Sequence, residues 1–517
     1  HVFKPLFDKK SFDFHTHMRY PCAVTPKNCA ASEYFYHLTF PKINSPMLKK
    51  ARRQGTNRHK NFEKRQKNSA ISAPIWYNVN NHKNINKGAY CTMINYTTLN
   101  SNLKRGILNF SEKISKKFNR TTMKFICNMI FGILASKSCL LSEIGRNLNE
   151  KISLSKTVTR LSRNLNEFDG GKELFETYLK SIKNRYDDKS VLIIDGSDIT
   201  KSASKELEGL CEVRDGSTGE IGIGYHTLGA AVLGDKKLPY GVYSRIYSST
   251  EKGFVSEDNE IIKCFEFLSK HFSKSNIRTM DRGYDCNRYY EYFIKHNEKF
   301  IIRAKKNRNV IYKGKTVNIL ELTNRFKGKY KLEYKEKSGR KSSVKVSIIP
   351  IRLCEFRNTE LNLVMVYGFG KIPMMLITNL KSDDKRICTA ICKVYLMRWR
   401  IEEYFKFKKQ SFDFENIRVQ SLKSIRNLDL LLTIAIGYVA EISGKSDNIK
   451  IRAEIIEVSK RLFGVPNFIY YAVADGIFEV LKAVKSGIVR FFSLPQSDGQ
   501  LSFFSGSEVC RLNFGET

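Results

Sequence analysis

From residue 109 to residue 166, apolar side chains recur every three or four positions. Phe110, Ile114 and Phe118 are followed by Met123, Cys127, Ile130 and Leu134, the spacing of helices with one buried face. Leu141, Ile144, Leu148, Ile152, Leu154, Val158, Leu161 and Leu165 continue the pattern as short helices broken near Ser153. Beyond residue 190 the period changes. Val191-Leu192-Ile193-Ile194 is a short β-branched run, read as a buried strand that ends in Asp195-Gly196-Ser197-Asp198. Strands are predicted over 227–233 and 240–247, then a helix over 256–272. A strand over 277–280 runs into Asp281-Arg282-Gly283-Tyr284-Asp285, followed by a helix over 288–296 and a strand over 300–303.

Three consecutive strands and then α-β-α-β is the order of a ribonuclease-H-like core, so an α/β fold of that class is the expectation. Residues 305–372 break into short alternating segments between Lys-, Arg- and Gly-rich turns, which predicts a β-rich insertion. Residues 374–378 read as a return strand, 384–409 as one long helix, and 428–442 and 451–463 as further helices. The chain after Pro495 reads as irregular. The expected organisation is a helical region over 93–185, the first part of the core over 186–304, the insertion over 305–372, core completion over 373–425, and a C-terminal helical region over 426–517.

Composition narrows the function. A chain of 517 residues exceeds what one hydrophobic core usually serves, and its 42% hydrophobic content excludes global disorder. Lys and Arg total 89 against 51 Asp and Glu, a formal charge of +38, which favours a polyanionic partner and nucleic acid first. The bland counterpart is a coding bias toward Lys, Asn and Ile. Arg146, Lys156, Arg160 and Arg163 ride on the short helices, which suits either a helix-turn-helix-like DNA reader or a bundle with a solvated basic face. Residues 1–92 hold seventeen Lys/Arg, four Asp/Glu and six of the nine histidines, without a helical or strand period. They are expected to lie outside the folded protein, with a basic DNA-binding arm as the alternative. No apolar run reaches the ~18 residues of a membrane span. The twelve cysteines include no C-x-x-C pair, so a structural zinc site is not expected, and a reduced, cytosolic protein is. Cys388 and Cys392, one turn apart, read as small helix residues.

The chemistry concentrates on the predicted 384–409 helix. At about 100° per residue, Tyr395, Arg398, Glu402 and Lys409 share a sector of about 60°, and the stripe runs about 21 Å. Val394, Ile401, Phe405 and Phe412 form an apolar stripe beside it. Alone, this pattern fits a solvated face with ion pairs of ~0.3 to 0.5 kcal/mol each. Asp195 and Asp281, each closing an apolar strand, change the balance. Carboxylates converging at a sheet rim repel one another unless a cation neutralises them. Mg²⁺ takes oxygen ligands, and two ions about 3.5 to 4 Å apart can serve both the attacking and the leaving oxygen in phosphodiester cleavage.

Tyr395-x2-Arg398-x3-Glu402-x6-Lys409 resembles the Y-R-E-K signature of the DDE transposases of bacterial insertion sequences. Asp195-Gly196-Ser197-Asp198 resembles that family's first-acid motif, and Asp281-Arg282-Gly283-Tyr284-Asp285 its second; the likeness spans about residues 110–480. It implies Asp195, Asp281 and Glu402 as catalytic and metal-binding residues on a ribonuclease-H-like fold, with Mg²⁺ or Mn²⁺, two ions, as cofactor. It also implies Tyr395, Arg398 and Lys409 as phosphate-holding residues, DNA ends and target DNA as partners, a homodimer on DNA, and a bacterial cytoplasmic location beside the nucleoid. Asp198 competes with Asp195, and Asp285 with Asp281. Arg282 is read as a phosphate contact or a partner for a nearby acid. Trp399 is read either as stacking on an extruded base or as buried against a neighbouring element. The rival functions are a plain nuclease of the same fold and a non-catalytic, sequence-specific DNA-binding protein left by a decayed element.

Overall fold

The computed structural model describes residues 94–201, 204, 206–216, 218–335, 341–381, 384–444, 449–461, 464–483 and 487–488. The readings for 1–92 and for the chain after 495 lie outside these residues. Five helices come first: α1 (Tyr96–Ser115), α2 (Arg120–Ser136), α3 (Leu141–Leu148), α4 (Leu154–Glu167) and α5 (Gly171–Ser181). Asn95 and Asn119 cap α1 and α2 by accepting from Thr98 N and Thr122 N, satisfying orphan amides of each first turn. The predicted break near Ser153 is the N-cap of α4.

The sheet core follows as β1 (Val191–Thr200), β2 (Cys211–Arg214), β3 (Ile221–Leu233), β4 (Pro239–Tyr247), α6 (Glu257–His271), β5 (Ile277–Met280), α7 (Asn287–Lys295) and β6 (Phe300–Arg303). Strand β1 pairs antiparallel with β3, and β3 with β4. Strand β5 pairs parallel with β1, and β6 parallel with β5. The order β4-β3-β1-β5-β6 is thus three antiparallel strands followed by two parallel crossovers, with the short β2, which lies between β1 and β3 in the chain, also pairing antiparallel with β3. It is a mixed sheet with helices, in the order that the sequence predicts save for β2, which the sequence reading does not include.

The insertion holds β7 (Asn309–Tyr312), β8 (Lys315–Asn318), α8 (Ile319–Arg325), β9 (Tyr330–Lys335), β10 (Lys341–Leu353) and β11 (Leu361–Tyr367). Strand β12 (Met374–Thr378) pairs antiparallel with both β11 and β6, so the insertion extends the core sheet. The chain then forms α9 (Lys385–Leu396), α10 (Trp399–Ser411), α11 (Leu422–Gly444), α12 (Ile449–Val458) and α13 (Tyr470–Ala483).

One expectation needs correction. The single helix over 384–409 is two helices, because i→i+3 bonds from Arg398 N to Tyr395 O and from Ile401 N to Arg398 O tighten the chain between α9 and α10. The cause is packing. Cys388, Ile391, Cys392 and Tyr395 of α9 bury against Val344, Val346, Val364 and Leu376 of the insertion side. Ile401 of α10 instead buries against Val191, Ile193 and Ala231. One straight rod cannot cover both patches. The helices before and after the sheet share one core, since α11 packs on α2, α4 and β4, and α13 on α1 and α2. Among the described residues, no single helix is long and apolar enough to cross a membrane; α2 and α3 pass only together and are bent by 99°.

Candidate active site

Strand register brings the first two acids together. Ile193 partners Thr279 across the parallel β1–β5 pair, so two residues on, Asp195 and Asp281 occupy the same register position. Adjacent strands lie about 4.8 Å apart. Beyond Ile193, β1 does not end at its acids as the sequence suggests. It continues to Thr200 through backbone pairing with β3, with Asp195 opposite Gly229. That glycine has a specific use: a Cβ there would sit 2.7 Å from the Phe405 ring, so Gly229 lets α10 lie close on the sheet beside Asp195.

Alternation along β1 puts Asp195 on the same face as Ile193, the face that α10 covers through Ile401. There Arg398, at the junction of α9 and α10, donates from Nη1 to Asp195 Oδ2 at 2.7 Å and from Nη2 to Glu402 Oε1 at 2.5 Å. Asp195 also accepts from Gly196 N at 3.0 Å. Asp281 Oδ1 accepts from Gly283 N at 2.7 Å, which caps the tight turn Arg282–Tyr284. Asp195 and Arg398 are buried, and the Glu402 side chain is only 11% exposed.

The electrostatics show mutual acid repulsion. Burial pushes the Asp195 carboxyl well above its ordinary pKa; Arg398 opposes this, while Asp281 and Glu402 add to it. Glu402 is raised by burial in the same way, against Arg398 and with Asp281. Burial works against the charge of Arg398, but Tyr395, Asp195, Glu402 and Asp281 outweigh it and hold the guanidinium well above its ordinary pKa. The three acids therefore share one electrostatic neighbourhood. Even with Arg398 bridging two of them and Arg303 next to the third, the carboxyls outnumber the cations. Three hard oxygen donors with that deficit suit Mg²⁺ or Mn²⁺. Among the described residues, however, no three acid, His or Cys side chains are gathered closely enough to hold an ion as they stand.

The rivals separate by their contacts. Asp285 is fully buried, its carboxylate taking Tyr290 Oη at 2.8 Å, Arg308 Nε at 2.5 Å and Lys305 N at 2.7 Å. These two hydrogen bonds and the ion pair tie it to the loop after β5. Asp198 accepts from Thr200 Oγ1 and Gly216 N, both at 3.2 Å, and lies 3.6 Å from Lys409 Nζ. Lys409 also pairs with Glu415 at 2.9 Å. Lys409 therefore pairs with Asp198 and Glu415, and it lies two turns along α10 from Glu402. Tyr395 is buried beside Arg398, with its hydroxyl in no hydrogen-bond geometry, and the Arg398, Arg303 and Asp281 charges reach it. Trp399 is half-buried, with the Arg398 guanidinium 5.9 Å from its ring centroid. Arg282 is half-buried in the turn after Asp281.

Sequence reasoning missed Arg303. Met280 partners Ile302 across β5–β6, so Arg303 takes the register position beside Asp281. The signal was available as a strand of parallel order closing on a cation. His226 of β3 stacks on Tyr247, with ring centroids 5.3 Å apart.

Residues 262–437, about a third of the chain, match the family described as Transposase DDE domain. The matched stretch runs from α6 into α11 and includes Asp281, Arg398 and Glu402, and it supports a DDE transposase. No curated protein sequence matches the chain. Among solved structures, a cryo-EM structure of the piggyBac transposase synaptic complex with hairpin DNA is similar over 78% of this chain and 83% of that one, at 10% identity and a TM-score of 0.38. A likeness that loose carries no inference about this chain.

Proposed function

We propose that the protein is a DNA transposase of the insertion-sequence kind, which cuts the ends of its element and joins them to target DNA. Asp195, Asp281 and Glu402 are the catalytic residues in this reading. The observation that carries it is the register match of Asp195 with Asp281, with Glu402 tied to Asp195 through Arg398. The three carboxylates would hold Mg²⁺ or Mn²⁺, as two ions, and those ions supply activation of an attacking oxygen and neutralisation of a leaving one.

The chain's own side chains orient the substrate. Arg398 presents a planar fork matched to phosphate, Lys409 a point charge, and Tyr395 a hydroxyl donor at the buried end of the site. Arg282 and Trp399 flank the acids, where a phosphate and an unstacked base would lie. The +38 charge draws in the DNA. A homodimer holding both element ends, in the bacterial cytoplasm beside the nucleoid, completes the proposal.

The test is strand transfer by the purified full-length chain. A duplex copied from the DNA flanking the coding region, ending in a 3′-OH, is incubated with supercoiled plasmid and Mg²⁺ or Mn²⁺. Joined product supports the proposal. Nicking without joining would make the protein a nuclease, and end binding without strand breakage would make it a non-catalytic DNA-binding protein.

A further inference from the structure

The Arg398 guanidinium stands between two of the three acids, where a divalent ion would have to sit. Its side chain is 6% exposed, and it uses Nη1 on Asp195 and Nη2 on Glu402. Its position is fixed by the tight α9–α10 turn, with Asp195 on a central strand and Glu402 one helical turn on. Nε of Arg398 and Oη of the neighbouring Tyr395 are both buried and face each other, the Tyr395 oxygen lying close enough to the guanidinium to interact with its charge.

We infer that Arg398 is the resident cation of the site: in the DNA-free protein it holds Asp195 and Glu402 in place of a divalent ion, and a DNA phosphate oxygen draws it off and opens the acids to metal. The inference rests on the metal-dependent reading above and gives that site its regulation. An enzyme that cut DNA whenever metal was present would damage its host, whereas this arrangement makes metal entry conditional on substrate. Because linkage is reciprocal, DNA must tighten metal binding by the factor by which metal tightens DNA binding.

The test is Mn²⁺ binding to the full-length protein, read from the electron paramagnetic resonance signal of free Mn²⁺, with thermal melting in parallel. Without DNA, Arg398→Gln should bind Mn²⁺ roughly tenfold more tightly than the wild type, in the range usual for coupled sites. Arg398→Gln should also melt lower than the wild type when metal-free and recover on adding Mn²⁺. Arg398→Lys keeps the charge but cannot fork to two acids, so it should gain affinity too; it decides the matter if the Gln variant does not fold. A flanking-sequence duplex should tighten Mn²⁺ binding by the wild type and leave Arg398→Gln unchanged. Equal affinity in all three proteins, lost on Asp195→Asn, would overturn the inference and leave the metal reading standing. No Mn²⁺ binding by any of them, with or without DNA, would overturn both.

Discussion

Asp281 and Asp285 lie four residues apart in one loop, yet their surroundings predict opposite consequences of the same substitution. Asp285→Asn removes the charge paired with Arg308, leaves one oxygen for two donors, Tyr290 Oη and Lys305 N, and turns an amide NH₂ toward the other. Arg308 is 13% exposed and loses its only ion pair among the described residues. Breaking a buried pair by removing one partner costs roughly 3 to 5 kcal/mol, and the lower figure suits Arg308 because it also donates to Asn287 Oδ1 and to the Asp285 carbonyl. At a urea slope near 3 kcal/mol per molar, a loss of about 3 kcal/mol moves the unfolding midpoint down by about 1 M. Asp281→Asn removes one acceptor whose Gly283 amide bond the Asn oxygen can keep. Its midpoint should stay within about 0.3 M of the wild type, while DNA cleavage is lost. Circular dichroism in urea reads the first quantity, and a plasmid-cleavage gel the second. A stable Asp285→Asn protein, or an unstable Asp281→Asn one, would refute this division of labour.

Two further outcomes follow from packing and burial. Gly229→Ala puts a Cβ against the Phe405 ring and should lift α10 off β3 at a cost of roughly 1 to 3 kcal/mol; Phe405→Leu in the same chain should recover part of it, as read by thermal melting. Glu441 is buried in α11 and its carboxyl is raised above the ordinary range by that burial, against Arg185 and Lys113. Its favourable contribution is therefore complete below about pH 4, the unfolded value, and is lost as pH rises through the folded value. Glu441→Gln should gain stability relative to the wild type between pH 4 and pH 8 in urea titrations, and a constant difference across that range would contradict the assignment.

Much of this arrangement can be read from the chain, for physical reasons that differ by element. Strands β5, β6 and β12 are short runs buried on both faces, so hydrophobicity marks their ends to the residue. Strand β1 is longer than its apolar run because Gly196-Ser197-Asp198 pair with β3 through backbone alone, which side-chain pattern does not record. The α9–α10 break carries no Pro or Gly; it is set by two separate sheet patches, a tertiary cause. The Y-R-E-K spacing correctly puts Arg398 and Glu402 side by side, since i and i+4 share a face. Spacing along one helix does not record the further neighbours of Lys409, since Asp198 and Glu415 come from β1 and the turn after α10. Strands β7 and β8 and helices α5, α8 and α13 escape the sequence reading because their apolar positions are few or their boundaries unmarked.

The central claim is that Asp195, Asp281 and Glu402 act together on a DNA phosphate. The most direct measurement is cleavage of a plasmid carrying the flanking DNA of the coding region, in Mg²⁺ or Mn²⁺, by purified wild type, Asp281→Asn and Glu402→Gln, with end binding measured in the same samples by gel shift. The account predicts that both variants bind the end and leave the plasmid uncut. Substantial cutting by either one would contradict it.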